Sequence, residues 1–214
     1  MKHRTICILS GGVDSTTLLH QLVAGGDEVL AMSFDYGQRH RKEIRYAARS
    51  SRKLGVEHMV VDLAGINALL AGSALTSREM EVPEGSYEDE AMRTTVVPNR
   101  NMIMMSLAGA YAVSRKYDRI AIAVHAADHA VYPDCRARFI EQFDIALKLG
   151  NYEQVSVYVP FLDWTKARIV RLGLRLGIDY EADTWSCYQG GEEPCGKCGT
   201  CLERAEALEE ARNE

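Results

Sequence analysis

Five short apolar runs, each parted from the next by enough chain for a helix, constrain this sequence more than any other feature. Thr5–Leu9, Glu28–Phe34, His58–Leu63, Arg119–Val124 and Val155–Val159 read as strands, and several are apolar on both faces. A strand buried on both faces belongs to a parallel sheet covered by helices. Ser15–Ala24, Lys42–Leu54, Asn101–Lys116, Arg136–Leu149 and Thr165–Leu176 read as the covering helices, and Cys201–Arg212 as a final one. Gly25-Gly26 and Gly55 stand just past two helix ends, where glycine closes the last turn. Strands alternating with helices, joined by right-handed crossovers, predict an α/β fold with a doubly wound parallel five-stranded sheet.

The junction after the first strand is unusual. "ILSGGVDSTTLL", Ile8 to Leu19, passes from strand to helix through two glycines. Glycines let backbone N–H groups approach a ligand closely, and the helix N-terminus adds positive partial charge, so the junction is an anion site. Ser10 and Ser15 add hydroxyl donors. Asp14 can cap the helix or touch a magnesium ion. The spacing GxxxxGK[ST] and its lysine are absent, so this is not a Walker A loop. The plain alternative is a strand-to-helix turn with serine and aspartate caps.

Four of the six cysteines, Cys187, Cys195, Cys198 and Cys201, follow the spacing C-x7-C-x2-C-x2-C, with Gly196 and Gly199 permitting tight turns between them. Four thiolates complete a closed tetrahedral zinc shell, which leaves no open position and so has a structural role. Reduced thiols and an iron–sulfur cluster are the alternatives. Cys7 lies on the first strand as a small core residue. The 214 residues suit one main domain with a small appendage. We place the boundary at 178, with residues 1–178 as the α/β domain and 179–214 as the metal-binding segment and closing helix.

A net charge of −5 and a pI near 5.7 argue against a large nucleic-acid footprint. The apolar run Ile6–Leu9 is too short for a signal peptide, and Met102–Val113 falls short of the ~18 residues needed to span a bilayer. A soluble, cytoplasmic protein with no membrane partner is expected. Ala71–Thr95 is irregular and holds Glu79, Glu81, Glu84, Glu88, Asp89 and Glu90 around Pro83 and Gly85. It reads as a solvated loop, or functionally as a lid or dimer arm.

SGGVDST resembles the SGGxDS motif of the PP-loop ATP pyrophosphatases, which hold the β- and γ-phosphates of ATP. The resemblance implies cleavage of ATP between its α- and β-phosphates and adenylation of a substrate oxygen. Further stretches narrow it. "SFDYGQRHRKEI" (Ser33–Ile44), "VVPNRNMIM" (Val96–Met104), "VHAADHAVYPDCRARF" (Val124–Phe139) and "TWSCYQG" (Thr184–Gly190) resemble the 7-cyano-7-deazaguanine synthases of the queuosine pathway, over nearly the whole chain. Val13, where many relatives carry glutamine, is one departure.

That resemblance implies an ATP-driven ligase converting 7-carboxy-7-deazaguanine and ammonia into a nitrile, and a homodimer. The related alternative is a tRNA-modifying PP-loop enzyme of the thiolation or lysidine type, against which the acidic balance speaks. The strand order implied is 3-2-1-4-5, as in adenine nucleotide alpha-hydrolases. Ligands then bind at the switch point between the first and fourth strands. ATP is expected along Ile8, Leu9, Ser10, Gly11, Gly12, Val13, Asp14, Ser15, Thr16, Thr17 and Leu18. Arg100, Arg136 and Lys166 are candidate cations for its phosphates. Asp128 or Asp134 can accept the donor edge of a guanine-like ring, Tyr132 or Tyr188 can stack on it, and His129 can assist proton transfer from ammonium.

Overall fold

All five apolar runs become parallel strands: β1 (Arg4–Ile8), β2 (Glu28–Asp35), β3 (Glu57–Asp62), β4 (Arg119–Ala121) and β5 (Ser156–Tyr158). They lie in the order β3-β2-β1-β4-β5, as expected. This is seen in a computed structural model that describes residues 2–87 and 90–213. Alternation along β1 shows why the sheet is double-faced. Ile6 and Ile8 join one buried cluster with Leu30, Met32, Met105 and Ile120. Cys7 and Leu9 join another with Leu18, Leu19, Ala31, Phe161 and Ile169. Successive side chains on a strand point to opposite faces, so both sets need a helical cover.

The first cluster is covered by α3 (Arg100–Arg115) and α5 (Ala137–Leu149), the second by α1 (Val13–Ala24), α2 (Glu43–Lys53) and α6 (Lys166–Arg175). One-turn helices α4 (Asp128–Val131) and α7 (Tyr180–Asp183) and the long α8 (Gly199–Asn213) complete the set. Gly26 and Gly55 take positive φ, 84° and 66°, just past α1 and α2. Cys7 is fully buried, and that burial pushes its thiol well above the ordinary range.

β4 and β5 stop short of the expected Val124 and Val159. The Ile122 N–H still donates to the Tyr158 carbonyl at 3.1 Å, and further on the Ala126 N–H donates to the Trp164 carbonyl at 3.2 Å.

Residues 179–213 pack behind the glycine junction. Tyr180, Ala207 and Ala211 share a buried cluster with Val13, Val170 and Ile178. The Tyr180 and Thr17 hydroxyls lie 2.7 Å apart, and the Trp185 N–H donates to the Gly11 carbonyl at 2.9 Å.

The irregular stretch differs from a solvated loop. Its carboxylates Glu79, Glu81, Glu84 and Glu90 are exposed, but Leu75, Val82, Tyr87 and Met92 are buried. Glu84 bridges to Cys198 in antiparallel fashion, and the Arg39 guanidinium donates to the carbonyls of Ser77 and Met80 at 2.7 Å each. The stretch is therefore a strap laid over the cysteine segment. Its apolar residues follow neither strand nor helix spacing, which is why periodicity does not reveal it. Glu88 and Asp89 of the acidic run lie outside the described residues.

Candidate active site

The junction folds as a concave nest. Gly12 precedes α1 in extended conformation, and the N–H groups of Ser10 and Gly11 both point at the Ser15 hydroxyl, 3.2 Å away in each case. The Gly12 N–H donates to Ser10 Oγ at 3.3 Å, and the two serine oxygens lie 2.9 Å apart. Converging N–H groups at a helix N-terminus form an anion cradle without a cationic side chain.

Gly11 has φ of +91°, and a Cβ there would sit 2.2 Å from the Glu43 carbonyl oxygen and 2.8 Å from the Ala47 nitrogen, both backbone. Gly11→Ala is therefore expected to lower stability by about 2–5 kcal/mol, combining left-handed strain with overpacking. Thermal denaturation checks it; a melting point within a degree of wild type would contradict it.

The nest forms one wall of an open cleft that runs on to an aromatic and charged far side. Ile8, Leu9, Ser10, Gly12, Val13, Asp14 and Ser15 line it, as do Arg100, Asp128, Tyr132, Lys166 and Tyr188. Their registers explain the meeting. Cys7 of β1 pairs with Ala121 of β4, so residues just past both strands emerge at one edge.

A dense charge cluster stands at that edge. Lys166 Nζ lies 3.2 Å from Asp14 Oδ2 and 2.6 Å from Glu203 Oε2. His125 Nε2 lies 3.6 Å from Asp128, 3.7 Å from Glu203 and 3.9 Å from Asp14. The Tyr87 hydroxyl donates to Asp128 Oδ1 at 2.9 Å. Burial favours neutral Asp14, but Lys166 and His125 outweigh it and hold the carboxyl below its usual range. Burial also opposes the Lys166 charge, and Asp14, Glu203 and Asp128 overcome it, so the ammonium persists.

Aromatic groups form the opposite wall. Tyr132 and Tyr188 share a hydrogen bond at 3.0 Å, and the Arg100 guanidinium sits 5.7 Å above the Tyr132 ring centre. Burial pushes the Tyr36 phenol up to about 12 and drops His40 to about 3. It raises Glu43 to about 8.

Several expected residues stand elsewhere. Thr16, Thr17 and Leu18 turn inward along α1; Thr17 bonds to the Val13 carbonyl and Tyr180, and Leu18 is in the core. The Cα side of Gly11 turns onto α2, and only its N–H belongs to the nest. Asp134 accepts the Asn101 N–H at 3.0 Å, where a carboxylate complements the start of α3. Arg136 is exposed and donates to the His129 carbonyl, and His129 is not among the cleft-lining residues. Sequence reasoning missed Glu203, Tyr87, Glu43 and His40. His40 and Glu43 lie within the Ser33–Ile44 stretch and Glu203 stands two positions beyond the last clustered cysteine, but their spacing does not single out these side chains.

The four clustered cysteines converge, with their sulfurs all within 4.8 Å of one another. Cys195 and Cys201 sulfurs are 3.9 Å apart, close to the ~3.8 Å edge of a tetrahedron with 2.3 Å metal–sulfur bonds. Backbone N–H groups of Cys195 and Cys198 point at the sulfurs of Cys187 and Cys195, 3.3 Å away, as thiolates require. The donor set fits a closed structural metal site.

A parallel sheet ordered 3-2-1-4-5, with a lysine-free glycine nest after its central strand, defines the PP-loop class of nucleotide-binding folds. Two solved structures resemble this chain in overall fold: the NH3-dependent NAD synthetase of Campylobacter jejuni (TM-score 0.52, 16% identity, 100% of this chain and 77% of that one) and the NMN synthetase of Francisella tularensis (TM-score 0.51, 16% identity, 99% and 83%). The family described as "Queuosine biosynthesis protein QueC" matches residues 4–212, and the chain belongs to that family. Relatives include 7-cyano-7-deazaguanine synthase of Hahella chejuensis, 53% identical over 97% of this chain and 89% of the relative. The 7-cyano-7-deazaguanine synthase 1 of Colwellia psychrerythraea is 50% identical over 98% and 95%.

Proposed function

We propose that this chain is an ATP-dependent ligase that converts 7-carboxy-7-deazaguanine and ammonia into 7-cyano-7-deazaguanine, through adenylated acid and amide intermediates, in queuosine biosynthesis. The observation that carries it is membership of the QueC family along nearly the whole chain. The anion nest opening into a cleft that is also lined by Lys166, Arg100, Asp128 and two tyrosines supports the chemistry.

A carboxylate is a poor electrophile because its oxygens leave badly. Its oxygen attacks the innermost phosphorus of ATP, and pyrophosphate departs. The nest holds that pyrophosphate through the N–H groups of residues 10–12, with Lys166 beside it to neutralise the charge that develops. Ammonia then displaces AMP and leaves an amide. A second ATP adenylates the amide oxygen, and loss of AMP with a proton gives the nitrile. Asp128, which lines the cleft with His125 behind it, takes the proton from ammonium, a role expected of His129 on sequence. Tyr132 and Tyr188 flank the ring, and Arg100 faces its carboxylate.

Asp14 Oδ1 is buried without a hydrogen-bond partner, which suits it to hold magnesium. That ion supplies charge neutralisation on the triphosphate. Zinc is the ion we assign to Cys187, Cys195, Cys198 and Cys201, in a structural role. Among the described residues no helix is long and apolar enough to cross a membrane. We place the enzyme in the cytoplasm as a homodimer acting on small molecules, without nucleic acid.

Mass spectrometry of products from protein, ATP-Mg, ammonium and 7-carboxy-7-deazaguanine tests the reading. The nitrile, AMP and pyrophosphate are expected. ADP in place of AMP would overturn adenylation. Turnover that needs tRNA instead of the carboxy-deazaguanine would overturn the ligase reading altogether.

A further inference from the structure

We infer that Glu43 and His40, braced by Gln38, form the subsite for the donor edge of an aminopyrimidinone ring, meaning its ring N–H and the adjacent exocyclic amine. The inference deepens the function proposed above and rests on it.

The geometry comes from the turn between β2 and α2. The Gln38 side chain is saturated: its amide nitrogen donates to the Phe34 carbonyl at 3.0 Å and to Glu43 Oε1 at 3.2 Å, and its oxygen accepts the Tyr36 N–H at 3.0 Å. Gln38 is thus a brace, and it is not among the cleft-lining residues. Glu43 and His40 both line the cleft. Glu43 Oε2 faces His40 Nε2 at 3.5 Å, its one ion-pair contact among the described residues. His40 is 4% exposed, and its Nδ1 is buried with no hydrogen-bond partner.

A largely covered acid with spare acceptor capacity, lining the cleft beside a buried imidazole, asks for a ligand that supplies the missing bonds. Burial alone holds the Glu43 carboxyl up, and two ring donors would offset that. The Tyr188 ring, 5.4 Å from His40, gives a flat wall beside the acceptor. An adenine edge presents one donor and one acceptor side by side. A carboxylate matches only half of that, whereas it accepts both donors of an aminopyrimidinone. Two ring donors draw out the ionised form of Glu43 against the burial that holds it at about 8, and in that form it matches the substrate ring rather than the nucleotide base.

The test compares 7-carboxy-7-deazaguanine with its analogue lacking the 2-amino group, by calorimetric affinity and by KM, on the whole metal-loaded protein. Wild type is expected to prefer the amino form by about thirtyfold or more, because a site built for a hydrogen bond penalises its absence. Glu43→Gln is expected to weaken binding of the full substrate about ten- to a hundredfold and to reduce the preference to a few-fold, with KM for ATP held within about twofold. Glu43→Asp keeps the acceptor one methylene further back, so preference should survive with weaker affinity. No discrimination by wild type would overturn the inference whatever the variants do. So would full preference in Glu43→Gln, or an effect confined to KM for ATP, which would put adenine there. If neither compound binds and no nitrile forms, the functional reading fails and takes the subsite with it. Normal nitrile formation with undiminished preference in Glu43→Gln sinks the subsite alone.

Discussion

Lys166→Met is expected to lower ATP-dependent turnover about a hundred- to a thousandfold, the usual effect of removing one preorganised group from a site of developing charge. Methionine keeps the length and apolar stem of the side chain, so the loss falls on the ammonium. That ammonium lies between Asp14, on the nest side, and Glu203, on α8. Without it three carboxylates, Asp14, Asp128 and Glu203, share one buried corner with only His125 among them. Asp14 loses the partner that holds its carboxyl down, and its affinity for protons rises. The departing pyrophosphate is then left without the ammonium that would neutralise its charge. Single-turnover kinetics with radiolabelled ATP would read the effect on the chemical step, and nucleotide binding would separate it from affinity. A rate within about tenfold of wild type would remove Lys166 from the phosphate machinery.

Glu203→Gln provides the graded comparison. The amide still reaches Lys166 but no longer pins it by charge. We expect a smaller loss than for Lys166→Met, about tenfold in kcat with KM for ATP little changed. Stopped assays at saturating ATP would check it. A loss equal to that of Lys166→Met would mean that Glu203 itself touches the reacting atoms.

What could be read from the chain follows from the range of the interactions. β1 and the nest are local. Ile6/Ile8 and Cys7/Leu9 announce a strand buried on both faces, and Ser10-Gly11-Gly12 announce backbone forced close to something. Lys166, named as a candidate cation through the PP-loop resemblance, does line the cleft. Asp134 shows the limit: next to a tyrosine in a polar motif, an acid suits a ligand or a helix start equally, and only the position of α3 decides. Glu43 and His40 were hidden because their burial depends on α2 pressing its first turn onto Gly11. Tyr87 was hidden because it lies in an acidic stretch without periodicity, and its hydroxyl finds Asp128 only once the strap is laid down.

Cys198→Ser is expected to remove most of the bound metal and to lower the melting temperature by on the order of 10 °C or more. Serine is a hard, protonated donor at neutral pH and a poor replacement for a thiolate. The effect should not stay within the cysteine segment. Cys198 is fully buried and bridges to the strap at Glu84, and the Trp185 indole N–H donates to the Cys187 carbonyl at 3.0 Å. The Trp185 backbone in turn holds Gly11 of the nest. Cys201 sits in the first turn of α8, the helix that carries Glu203 to Lys166 and Arg204 to the Tyr180 carbonyl at 2.6 Å. The metal shell therefore fixes the start of α8, and α8 fixes the far side of the charge cluster. Metal content by mass spectrometry, melting temperature and turnover should fall together in Cys198→Ser. Iron with visible absorbance in the wild type would replace zinc by a cluster in the same four ligands. Unchanged turnover after loss of the metal would cut the connection from the cysteines through α8 to Lys166.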